Sequence, residues 1–153
     1  MNNDKPLLDD LIIRSHHTAV SVQNFDEALV FYIDVIGFKN IGEIRDRGEP
    51  GFAEATGVPG GKAHWAMLKR DNYHIELFQW LNPAGVLKPI RQCDIGYTHI
   101  ALQVSNIDTA YKRVISSGFK TLNPPLTLRG GAAKVIYIQA PEKNITELVE
   151  YKD

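Results

Sequence analysis

Two hydrophobic rhythms alternate along this chain in a fixed order, and the order is run through twice. From Ser15 to Val22 the period is two. Thr18, Val20 and Val22 fall on one side and His17, Ala19 and Ser21 on the other, which predicts a half-buried strand. At Asn24 the period lengthens to that of a helix. Ala28, Leu29, Phe31, Tyr32, Val35 and Ile36 form an apolar stripe, Asn24 is placed to cap it with Glu27 completing a capping box, and Gly37 supplies a left-handed stop before Phe38. Lys39 to Ile44 reads as a strand. A hairpin follows, Lys62 to Lys69 and Tyr73 to Trp80, around Arg70-Asp71-Asn72.

The second run opens at Gly96-Tyr97-Thr98-His99-Ile100-Ala101-Leu102-Gln103-Val104. Asn106 then precedes a helix from about Asp108 to Ser117, with Ala110, Tyr111, Val114 and Ile115 apolar and Gly118 as its stop. Ala132 to Gln139 and Ile145 to Tyr151 close this copy as a hairpin around residues 140–144. His17 and His99 stand 82 residues apart, as do Asn24 and Asn106, whereas Glu76 and Glu147 are 71 apart. The difference of 11 is an insertion in the first copy, in the turn-rich loop 45–60, whose counterpart is the shorter stretch 122–130. Long ordered loops in compact domains are often lids or binding loops, with a plain surface excursion as the alternative.

The fold class expected is therefore α+β. A lead-in (1–13), with a helical turn at Leu7 to Leu11, precedes a first β-α-β-β-β module (14–84), a Pro- and Gly-bearing linker (85–94) and a second β-α-β-β-β module (95–153).

Composition narrows the function classes. At 153 residues the chain suits one compact unit or two small modules sharing a core. With 44% hydrophobic and 23% charged residues it is a globular composition, and a net charge of −1 gives no electrostatic case for nucleic acid or an anionic membrane. No apolar run approaches the roughly 20 residues that span a bilayer, and Met1 to Pro6 lacks a signal-peptide pattern. The single Cys93, expected in a loop or packing role, cannot form an internal disulfide and suits a reducing cytoplasm. The expected partner is a small-molecule substrate.

The candidate chemistry lies on the repeated positions. His17 and His99 open the first strands, and Glu76 and Glu147 sit mid-strand on otherwise largely apolar faces. A carboxylate there is costly to bury unless paired or metal-bound. If the modules pair symmetrically, two imidazoles and two carboxylates converge into a set for one divalent metal ion per site: Ni, Co, Zn, Mn or Fe(II). His64 and Lys134 occupy corresponding places on the preceding strands and are candidates to hold an anionic substrate group, against a hairpin-edge role. Phe78, Trp80 and Tyr151 are candidates for the pocket wall or for sheet packing. His74, nearer the turn, reads as a rim residue, and His16 points opposite to His17 by alternation.

These residues resemble the vicinal oxygen chelate superfamily, which includes glyoxalase I, methylmalonyl-CoA epimerase, fosfomycin-resistance and bleomycin-binding proteins, and extradiol dioxygenases. The likeness is carried by His16-His17-Thr18-Ala19-Val20-Ser21-Val22, His74-Ile75-Glu76-Leu77, Gly96 to Leu102 and Asn144 to Glu150. It implies a curved, cup-like mixed sheet with helices outside, a divalent metal on His17, Glu76, His99 and Glu147, and commonly a homodimer. The His, Glu, His, Glu set is similar to that of bacterial glyoxalase I, whereas methylmalonyl-CoA epimerases commonly carry Gln in place of Glu76. Residues 51–61 match no glutathione-binding residues, so the substrate stays open. The implied chemistry is proton transfer through an enolate by an isomerase, epimerase or lyase, with Glu147 the first candidate base and Glu76 the second. An Fe(II) extradiol-type dioxygenase and a non-catalytic small-molecule-binding or resistance protein are the alternatives.

Overall fold

The computed structural model describes residue 8, residues 11–88 and residues 91–152. The turn expected at Leu7 to Leu11 falls largely outside the described residues. The first half runs β1 (Thr18–Ser21), α1 (Phe25–Val30, continued by a π-helical turn over Phe31–Val35), β2 (Lys39–Arg47), α2 (Phe52–Thr56), β3 (Lys62–Arg70) and β4 (Tyr73–Asn82). The second runs β5 (His99–Gln103), α3 (Ile107–Ser116), β6 (Lys120–Thr121), β7 (Leu126–Leu128), β8 (Ala133–Gln139) and β9 (Ile145–Tyr151). Each half is a mixed sheet: β1-β4-β3-β2 in the first and β5-β9-β8-β6 in the second, with β7 also on β8. This is the expected α+β class, with the same crossover in both halves. β1 pairs parallel with β4, and β5 parallel with β9.

The helices start where Asn24 and Asn106 predict. Asn24 Oδ1 accepts from the Glu27 amide at 3.2 Å, and Asn106 Oδ1 from the Thr109 amide at 2.8 Å. The returning arm of the expected capping box is different. The Asn24 amide donates not to Glu27 but to Glu142 Oε1, 2.8 Å away in the second half. One residue on, the amides of Phe25 and Ile107 donate to Gln79 Oε1 (3.1 Å) and Glu150 Oε2 (2.6 Å), equivalent positions on β4 and β9. Each helix is thus pinned at its positive end to the strand that carries the candidate glutamate. α1 closes at Gly37, whose φ of +88° is the left-handed stop, and Arg70 Nη1 donates to the Ile36 and Gly37 carbonyls at 3.0 Å each.

One core serves both halves. Phe25, Ala28, Phe31 and Tyr32 from α1 meet Leu68, Ile75 and Leu77 from the first sheet and Ile136, Ile138 and Leu148 from the second. Phe31 and Phe119 rings lie 5.1 Å apart, and Asn144 Nδ2 donates to the Tyr32 hydroxyl at 2.9 Å. The halves therefore join through helix faces. Neither β1 nor β5 pairs with the other sheet, so each remains an unpaired edge among the described residues. Ile13, Ile95 and Tyr97, just before those edges, are almost fully exposed.

The insertion carries α2, which the turn-rich composition of residues 45–60 did not predict. Gly51 and Gly57, both left-handed, bracket this five-residue helix. It lays Phe52 on Phe78 and Trp80, with ring centroids 6.3 and 5.6 Å away. No helix among the described residues is long and apolar enough to cross a membrane.

Candidate metal centre

Strand register decides which side chains share a face. Ala19 lies opposite Glu76 in the β1–β4 pair, and Ala101 lies opposite Glu147 in the β5–β9 pair. A methyl group across from each carboxylate leaves room beside it, which the imidazole two residues earlier fills. His17 Nε2 lies 3.0 Å from Glu76 Oε2, and His99 Nε2 lies 3.2 Å from Glu147 Oε2. Exposure matches too: the first pair is 35% and 14% exposed, the second 31% and 16%. The duplication is preserved at the level of atoms.

Both rings are held from behind. His99 Nδ1 lies 2.8 Å from Gln92 Oε1, and Gln92 Nε2 donates to the Thr98 carbonyl, which fixes the amide so that its oxygen accepts from the ring. His17 Nδ1 lies 2.7 Å from His16 Nδ1, and the His16 ring stacks on His74 at 5.6 Å. With its Nδ1–H donating to Gln92, His99 turns the Nε2 lone pair toward Glu147, an arrangement that a cation between them relieves; His17 meets Glu76 in the same way when its Nδ1 is the donor to His16. The donor chemistry of each pair therefore fits a divalent ion bound through imidazole nitrogen and carboxylate oxygen.

The four residues do not converge within one chain. No cluster of three or more His, Cys, Asp or Glu side chains able to hold a metal occurs among the described residues. The structure brings His17 to Glu76 and His99 to Glu147 and keeps the two pairs apart, because the halves join through their helices and not along β1 and β5.

Other expected site residues lie elsewhere. His64 pairs with Gln79 and so faces α1, away from Glu76; its ring tilts against Phe25 at 5.6 Å and its Nδ1 accepts from the Asp46 amide at 3.2 Å. Lys134 pairs with Glu150 on the equivalent helix side, where its Nζ bonds Asp108 Oδ2. The expectation that either holds a substrate anion in the cup is corrected. Phe78 and Trp80 do share the Glu76 face and stack at 5.5 Å, and the Trp80 indole donates to Ser21 Oγ at 3.2 Å. His16, expected to point away, folds back because β1 begins only at Thr18. Cys93 is exposed. A cleft of about 510 Å³ beside the linker, lined by Trp80, Val86, Lys88, Tyr97 and others, includes none of the four metal-site candidates.

Three residues at the site escaped the sequence reading. Trp65 Nε1 donates to Glu76 Oε1 at 2.6 Å. Tyr137, directly opposite Glu147, sets its ring edge-on to His99 at 5.4 Å; partial burial and then the Glu147 charge hold its hydroxyl above the usual phenol range, keeping it protonated. Gln92 sits in the linker. The signal for Trp65 and Tyr137 was their hairpin register; nothing in the spacing pointed to Gln92.

The same architecture recurs in solved structures. A glyoxalase family protein from Bacillus cereus superposes with a TM-score of 0.82 at 20% identity, covering 93% of this chain and 96% of that one. A lactoylglutathione lyase from Agrobacterium tumefaciens gives 0.61 at 20% identity over 92% and 95%. In sequence, a lactoylglutathione lyase from Salmonella typhimurium is 24% identical over 142 residues, 92% of this chain and 95% of that protein. A family profile matches residues 14–148, a span that contains both halves and both His–Glu pairs. The chain belongs to the Glyoxalase/Bleomycin resistance protein/Dioxygenase superfamily.

Proposed function

We propose that this protein is a divalent-metal-dependent enzyme of the glyoxalase type, moving a proton next to two neighbouring oxygens of a small substrate. The observation that carries the reading is the repeated pair: an imidazole Nε2 about 3 Å from a carboxylate, twice, with each ring's Nδ1 engaged behind it. The complete site is read as His17 and Glu76 of one chain with His99 and Glu147 of a second copy. The unpaired β1 and β5 edges, and the exposed Ile13, Ile95 and Tyr97 beside them, supply the surfaces for such a dimer. A bound divalent cation would act there as a Lewis acid, acidifying the C–H beside the oxygens it holds. Glu147 takes that proton on a carboxylate oxygen and returns it to the neighbouring carbon, while Glu76 and both imidazoles stay in place. Phe52, Phe78 and Trp80 present an apolar wall beside Glu76 that limits water. The superfamily likeness and the relatives named as lactoylglutathione lyases support an α-hydroxy thioester as substrate class.

The test has two parts. Untagged protein should bind one Ni(II), Co(II) or Zn(II) per chain. The loaded protein should then exchange the lactoyl C–H of lactoylglutathione with solvent deuterium, without oxygen uptake. Absence of metal binding would defeat the reading; oxygen uptake with a catechol would replace it with extradiol-type chemistry, and metal-free stoichiometric ligand binding with a non-catalytic role.

A further inference from the structure

Resting on that reading, the two glutamates are not equivalent, although they stand at duplicated positions. Glu76 has a partner for each oxygen: Oε2 faces His17 Nε2 at 3.0 Å and Oε1 accepts from Trp65 Nε1 at 2.6 Å. An indole N–H only donates, so this bond occupies Oε1 as an acceptor and takes one oxygen out of play. The indole is itself confined. Trp65 sits mid-strand between Ile44 and Phe78, its ring lies against Gly42, where an added Cβ would stand 3.4 Å from the ring edge, and the Arg47 guanidinium covers it at 5.1 Å. Glu147 has no such hold. The position equivalent to Trp65 is Val135, which pairs with Val149 as Trp65 pairs with Phe78 and offers no donor. Among the described residues Tyr137 gives Glu147 no hydrogen bond, and His99 is its one polar side-chain partner.

We propose that Trp65 is a positioning residue that fixes Glu76 as a standing, single-oxygen ligand of that cation. Duplication produced two like half-sites, and one tryptophan sets the Glu76 half apart from the Glu147 half, where Val135 stands in its place.

The test uses the full-length protein stripped of metal. Trp65→Phe keeps the ring and removes the N–H. Titrated with Co(II) and followed by visible absorption, the variant should bind on the order of 10- to 100-fold more weakly than wild type. Its d–d bands should also change shape as Glu76 gains a second free oxygen, which a purely structural role for the indole would not produce. Identical affinity and bands would overturn the positioning role while leaving the metal site standing. Failure of the wild type itself to bind Co(II) would instead remove the reading beneath it. Should Trp65→Phe not fold, the wild type decides the matter. The chain has two tryptophans, so Trp80→Phe assigns both indole N–H resonances. The Trp65 signal should stay protected from solvent exchange after Zn(II) loading, and its loss of protection would overturn the proposal.

Discussion

Tyr32 offers a quantitative test of how the two halves are joined. Its hydroxyl is buried at their seam, accepts from Asn144 Nδ2 at 2.9 Å, and is pushed up from 10 to about 12, chiefly because burial disfavours the phenolate. Between those values the unfolded chain has released the proton and the folded one has kept it, so stability falls as pH rises. The stabilisation is fully present below pH 10 and is lost as the pH climbs toward 12. At about 1.4 kcal/mol per unit, the two-unit displacement amounts to roughly 3 kcal/mol. Tyr32→Phe removes the titration and the hydrogen bond together. Near pH 8 the variant should be about 1 kcal/mol less stable, the ordinary worth of one buried hydrogen bond. By about pH 11 the wild type should have lost about as much, so the two stability curves should cross there and separate in the opposite sense above it. Urea unfolding by circular dichroism at half-unit steps from pH 8 to 12 reads the crossing. Parallel curves would show that the Tyr32 hydroxyl is not shielded at the seam.

The shared metal site predicts complementation: His17→Ala/Glu76→Ala and His99→Ala/Glu147→Ala chains should each bind no Zn(II), while a refolded mixture should recover one ion per mixed dimer, read by elemental analysis. A mixture that stays empty would refute the shared site. Gln92→Leu should weaken Co(II) binding on the order of tenfold by releasing the His99 ring, with little change in melting temperature; unchanged affinity would exclude Gln92 from orienting the ring. Gly37→Ala should lower stability by about 1–2 kcal/mol, since a Cβ at φ +88° is strained and would stand 2.5 Å from Arg70 Nη1. A thermal melt unchanged within 2 °C would refute that cost.

Much of the framework could be read from periodicity because every module begins with the same punctuation. Asn caps, glycine stops and alternating strands located α1, α3 and the outer strands to within a few residues. The errors have a specific physical origin. β3 is apolar on both faces, with Ala63, Trp65 and Met67 on one and Ala66 and Leu68 on the other, so alternation alone does not say which set faces Glu76. Only the turn decides. Taken as Arg70-Asp71-Asn72, it places His64 opposite Phe78; in the structure Arg70 pairs with Tyr73, His64 moves opposite Gln79, and every β3 side chain changes face. Lys134 was assigned by correspondence to His64 and carried the same error. The separation of the two His–Glu pairs was illegible for another reason. The edges that would join two modules within a chain are the same edges that would join two chains, and sequence pattern does not distinguish them.

The bond from the Asn24 amide to Glu142 has a bearing on how the protein is made. During synthesis the first helix leaves the ribosome more than a hundred residues before the carboxylate that completes its cap, and before Phe119 and Ile136 exist to cover Phe31 and its neighbours. The nascent N-terminal half thus holds a sheet and an unfinished helix with an apolar flank open to water. Acquisition of the native state is deferred until the C-terminal strands are released, and a prematurely terminated chain is a natural client for chaperones, not a stable half-molecule.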